Sequence, residues 1–133
     1  MNVVADTNTF LAVALGEEER PIIIKATRNA NLIAPEILPY EIGNALSSLF
    51  RRGLVSSSQV VAAWEATRQV PVENRPVDIS RALALAIEHR IYAYDAYFLE
   101  CALHARAPLL TLDTKMRAVA QIIGIPLVIG DQP

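Results

Sequence analysis

Four acidic residues stand where this chain's pattern could gather chemistry. Asp6 closes the apolar run VVAD and is followed at once by Thr7 and Asn8, and Asp113 closes LLTLD in the same way. Glu41 lies in PEILPYEIGNALSS, where Glu41, Asn44 and Ser48 fall at i, i+3 and i+7 and share a helix face beside an apolar stripe. Asp95, in AYDAYFLECALHA, stands where a helix would begin. Singly, each has a plainer explanation: three aspartates as N-caps and one glutamate as a solvated helix residue. Gathered in a partly dry crevice, four carboxylates would repel and raise one another's pKa values unless a cation joined them. No His or Cys is grouped near them, and an all-oxygen donor set favours Mg²⁺ or Mn²⁺ over Zn²⁺. Such ions serve phosphate chemistry by activating water and clamping the oxygens of an in-line displacement.

The elements that must position these acids read as alternating strands and helices, the signature of an α/β layer structure with mostly parallel strands. Strands are expected at 2–5, 32–34, 108–112 and 126–129, with a weaker one near 70–74. Leu38, Ile42, Ala45, Leu46, Leu49 and Phe50 form a helical stripe from Pro35 to Gly53. Pro39 suits the first turn of that helix, Arg51 and Arg52 suit its negative end, and Gly53 suits its stop. Further helices are expected near 20–30, 57–68, 79–89, 96–106 and 114–123, and Asp6 could cap one beginning near Asn8 or Thr9. Ser56 to Ser58 and Asp78 are cap candidates. In an open parallel sheet ligands bind beyond the carboxyl ends of the strands, so Asp6 and Asp113 would share one crevice if their strands are neighbours.

Composition bounds the answer. The 133 residues, 53% apolar and 20% charged, fit one domain over 1–133 with a sizeable core. No linker, repeat or low-complexity tract divides them, and no run of about 20 apolar residues suggests a membrane span. The N-terminus shows no secretory pattern, so the cytoplasm is the expected compartment. The single cysteine, Cys101, lies among small apolar neighbours and reads as a packed thiol. A net charge of −2 argues against a generally basic nucleic-acid binder. It leaves room for a local basic rim of Arg51, Arg52, Lys115 and Arg117, for which solvated surface charge is the plainer account. Neither GxGxxG nor GxxxxGK[ST] occurs, so a dinucleotide fold or a P-loop has no support.

The ordered set VVADTN, YEIGNAL, YDAYFLECA and LLTLD resembles the PIN-domain nucleases and, within them, the VapC toxins of toxin–antitoxin pairs. The resemblance implies a three-layer α/β/α sandwich, an Mg²⁺ or Mn²⁺ site and endonucleolytic cleavage of RNA to 5′-phosphate and 3′-hydroxyl ends. It carries Asp6, Glu41, Asp95 and Asp113 over as metal-site and catalytic acids, and Asn8, Asn44 and Thr111 as supporting polar residues. It further implies a homodimer and a small VapB-like antitoxin whose tail enters the active-site groove. One departure is visible: some relatives carry another acid after the last motif, where this chain has Met116 and Arg117. One ion in the free protein, with a second arriving with RNA, follows as the expectation.

Other readings fit less well. A haloacid-dehalogenase-like phosphatase needs a second aspartate where Asn8 stands, and a receiver domain needs adjacent acids where Ala5 precedes Asp6. A catalytically silent PIN scaffold that binds RNA or protein stays open, as does a non-toxin RNA-processing nuclease. His89 and His104 lie outside the motifs and read as structural or surface residues. Trp64 follows Val60 and Val61 at helical spacing and reads as core rather than interface.

Overall fold

The protein is described here by a computed structural model covering residues 1–129. Its elements run β1 (Asn2–Ala5), α1 (Thr7–Ala14), α2 (Arg20–Thr27), β2 (Asn31–Pro35), α3 (Leu38–Arg51) and α4 (Ser57–Arg68). Then follow β3 (Glu73–Arg75), α5 (Ile79–His89), α6 (Ala93–Ala105), β4 (Leu109–Leu110) and α7 (Thr114–Ile122).

Local chemistry explains most of these boundaries. Asp6, Asp78 and Asp113 each accept a hydrogen bond from the backbone N–H three residues on, capping α1, α5 and α7. Ser56 and Gln59 close a reciprocal capping box at the start of α4. Pro39 sits in the first turn of α3, where its missing N–H costs nothing. The buried face of α3 is Leu38, Ile42 and Leu46, a strict four-residue stripe. Phe50, the next position at that spacing, falls in the last turn of the helix and is exposed. Trp64 packs half-buried against the core.

The four strands pair in the order β3-β2-β1-β4, all parallel. β1 is central, and Val3 and Val4 are wholly buried, as a strand covered on both faces requires. Helices α1 to α4 pack among themselves, and α5 packs on α6, which packs on α7. With the chain moving one way from β1 to β3 and back to β4, the right-handed rule for parallel crossovers puts the first group on one face and the second on the other. The result is a three-layer α/β/α sandwich.

Four expectations shift. The strand expected at 126–129 reduces to a single bridge, Leu127 beside Leu109, because only Leu109 offers backbone groups to it. β4 stops at Leu110 rather than 112, since Thr111 and Asp113 turn to start α7: the Asp113 N–H donates to Thr111 Oγ1 at 3.1 Å. α2 ends at Thr27 rather than 30, where the Thr27 hydroxyl donates back to the Ile23 carbonyl at 2.8 Å. α6 begins at Ala93, three residues early, with Tyr92 as its N-cap, so Asp95 lies inside the first turn and is no cap. Among the described residues, no helix is long and apolar enough to cross a membrane.

Candidate functional site

The strand order reverses beside β1: the chain moves outward to β2 and β3, then returns to β4 on the other side of β1. Between β1 and β4 the loops beyond the strand ends diverge, which makes the crevice where open α/β sheets bind ligands. Asp6 leaves β1 there, and Thr111 and Asp113 leave β4. Residue pairing of Ala5 with Leu110 sets Asp6 against Thr111.

Asp6 is buried at 4% exposure, and three donors hold its carboxylate. Oδ1 accepts from the Thr9 N–H at 3.0 Å and the Thr9 hydroxyl at 2.6 Å. Oδ2 accepts from the hydroxyl of Thr111, which is itself 1% exposed. Across the crevice the Thr7 hydroxyl donates to Glu41 Oε2 at 2.8 Å, tying α1 to α3. Thr7 and Thr9 carry hydrogen bonds that the sequence reading did not assign to them. Only Thr9 left a local signal, because a hydroxyl three residues past a capping acid sits within its reach, whereas Thr7 bonds across 34 residues.

Asp6, Glu41, Asp95 and Asp113 line one pocket of about 110 Å³, together with Thr7, Asn8, Asn44 and Met116. Four elements therefore deliver the acids: the β1–α1 junction, α3, α6 and the start of α7. Burial raises the pKa of Asp6, Glu41 and Asp95 above the ordinary carboxylate value, and the charge of neighbouring acids raises each further. For Asp6 the hydrogen bonds from Thr111 and Thr9 pull the other way, as the one from Thr7 does for Glu41. Lys115 lowers the pKa of Asp95, so its charge reaches the crevice.

The donor set fits a hard divalent cation: every polar ligand is oxygen, and a cation would offset both burial and mutual repulsion. As placed, no group of three or more acidic, His or Cys side chains among the described residues is gathered tightly enough to hold an ion. Asp6, Glu41 and Asp113 accept hydrogen bonds from the Thr7, Thr9 and Thr111 hydroxyls and from the Met116 N–H at the α7 cap.

The remaining candidates divide. Asn8 and Asn44 line the pocket, exposed. Met116 puts a buried thioether in its wall where an additional acid could have stood, and Arg117 turns away to donate to the Ile129 carbonyl at 2.6 Å. Lys115 donates to the Arg90 carbonyl at 3.0 Å. Arg51 and Arg52 are exposed at the end of α3, and among the described residues no basic side chain lines the acidic pocket. Neither His89 nor His104 lines it. Cys101 is buried on α6, and burial pushes its thiol up to about 11, so it stays protonated and unreactive at neutral pH.

The chain is similar to known proteins. The sequence profile of the PIN domain matches residues 3–122. The chain is 29% identical over 121 residues to Ribonuclease VapC3 of Pyrobaculum aerophilum, covering 87% of this chain and 92% of that protein. Among solved structures, PAE2754 from Pyrobaculum aerophilum superposes with a TM-score of 0.70 at 22% identity, over 96% of this chain and 84% of the other. VapBC2 from Rickettsia felis, bound to a DNA fragment from its promoter, gives 0.64 at 14% identity, over 96% and 97%. These last two likenesses speak to the fold, whereas the profile spans nearly the whole chain, all four acids included: the chain belongs to the PIN-domain family.

Proposed function

We propose that the protein is a metal-dependent endoribonuclease, cutting RNA phosphodiester bonds, and the toxin of a toxin–antitoxin pair. One observation carries the reading: four carboxylates from four elements line a single pocket at the switch point of a PIN-type sheet. The likeness to a protein named Ribonuclease VapC3 supports RNA as the substrate, and a fold neighbour solved as VapBC2 supports an antitoxin partner. A homodimer in the cytoplasm remains part of the proposal.

Asp6, Glu41, Asp95 and Asp113 would hold Mg²⁺ or Mn²⁺, which when bound supplies Lewis-acid activation of water and neutralises charge at the phosphate. The residues of the chain do the positioning. Thr9 and Thr111 fix the Asp6 carboxylate in one orientation, and Thr7 does so for Glu41. Asn8 and Asn44, exposed at the pocket edge, offer amides that can hydrogen-bond the phosphate oxygens or ribose of an entering strand. Met116 leaves one side of the pocket apolar, which supports a single tightly held ion in the free protein.

Asp6→Asn keeps a cap-competent side chain and removes a charge, so it should abolish Mg²⁺- or Mn²⁺-dependent cleavage while the circular dichroism spectrum stays native. Undiminished cleavage by that variant would refute the assignment, and wild-type protein that binds RNA without ever cutting it would favour a silent scaffold.

A further inference from the structure

All four tyrosines of the chain lie within three residues of Glu41 or Asp95: Tyr40 on α3, and Tyr92, Tyr94 and Tyr97 at the start of α6. Tyr40 is 80% exposed and Tyr92 82% exposed, the highest values among the large apolar and aromatic side chains described. Neither ring supports the core. Tyr40 lies in the first turn of α3, one helical turn before the pocket residue Asn44, and Tyr92 is the extended N-cap of α6, three residues before the pocket residue Asp95. Each ring thus stands at the start of a helix whose first turn brings an acid, Glu41 or Asp95, to the pocket. Tyr94 is already engaged, edge-on to Tyr97 at 5.6 Å.

Charge makes these rings informative. The pocket is acidic, and among the described residues no basic side chain lines it, Lys115 and Arg117 each giving one hydrogen bond to a backbone carbonyl nearby. With so few basic groups at the pocket, contacts insensitive to the charge of an entering polyanion would add to its hold. Exposed tyrosine rings supply such contacts to a strand whose bases are free to stack, because every base has a π-face. We infer that Tyr40 and Tyr92 are stacking platforms for unpaired bases on either side of the cleaved linkage, so that these two residues select single-stranded over paired RNA. The inference rests on the ribonuclease reading above.

The test separates binding from cutting. Full-length wild type, Tyr40→Ala, Tyr92→Ala and the corresponding Phe variants are titrated into a short fluorescein-labelled single-stranded RNA with Ca²⁺ present, the RNA being checked on a gel for integrity. Each Ala variant should weaken binding about tenfold and each Phe variant by less than about twofold, since the ring and not the hydroxyl stacks. On the same RNA made abasic beside its central linkage, the difference between Tyr and Ala should vanish. Ala variants that bind as wild type, or that lose equally on intact and abasic RNA, overturn the inference. So does a change of sedimentation coefficient in the Ala variants, which would make the rings an interface between copies of the chain. The ribonuclease reading fails by a different result: wild type that shows the stacking pattern and yet never cuts the RNA with Mg²⁺ or Mn²⁺.

Discussion

At the scale of single residues, Thr111 governs Asp6. It is buried beside a carboxylate whose pKa burial drives up, and its hydroxyl favours the charged form. Thr111→Val keeps the shape and removes that donor, leaving Asp6 held by Thr9 alone. Urea unfolding at neutral pH should show a loss of about 1–3 kcal/mol, the usual cost of depriving a buried charged group of a hydrogen bond. The deficit should shrink in mild acid, where Asp6 is protonated and the missing bond matters less. Thr111→Ser should restore most of the stability; equal losses in Val and Ser would point to packing instead. The four acids were legible in the chain as residues at element ends. Of their hydroxyl partners, Thr9 had a local signal in its spacing from Asp6, and Thr7 had none, because it meets Glu41 across 34 residues.

At the scale of elements, two helices end on residues with left-handed backbone. Arg90 closes α5 at φ 56° and Arg106 closes α6 at φ 53°. An L side chain there is strained, and glycine relieves the strain at some cost in unfolded-chain entropy. Arg106→Gly should therefore stabilise the protein by roughly 0.5–1 kcal/mol in thermal or urea unfolding, with RNA cleavage unchanged. A destabilised variant would mean that the arginine side chain contributes packing that outweighs its backbone strain. Helix α3 was legible almost to the residue, since its stripe, Pro39 and terminal arginines agree. The last strand was not: PLVI has strand composition, yet pairing needs a neighbour with free backbone groups, and β4 offers only Leu109.

At the scale of the molecule, the clustered acids link stability to pH and to divalent ions. Asp6, Glu41 and Asp95 have folded-state pKa values raised above their ordinary values of 3.8, 4.5 and 3.8. The native state therefore holds these protons more tightly than the unfolded chain does. Without a cation, their contribution to stability is greatest below the ordinary values and falls as pH rises through the raised ones. A divalent ion that binds the charged carboxylates works in the opposite sense and competes with protons. Scanning fluorimetry should show Mg²⁺ or Mn²⁺ raising Tm by several degrees at neutral pH and scarcely at all near pH 4. Asp6→Asn should blunt that response. A metal-induced shift of equal size at both pH values, or one unchanged in the variant, would place the ion elsewhere.

The sequence by itself determined the alternation of strands and helices, the caps at Asp6, Ser56, Asp78 and Asp113, and the identity of the four acids. All of these follow from periodicity and hydrogen bonds within a few residues. Tertiary structure alone decided that β1 lies between β2 and β4, so that Asp6 meets Thr111 and the acids share one pocket. It also decided that Lys115 and Arg117 each donate to a backbone carbonyl while Tyr40 and Tyr92 stand clear of the core. Such facts depend on how distant segments close on one another, and that is set by strand pairing and the hand of the crossovers rather than by any local run of residues.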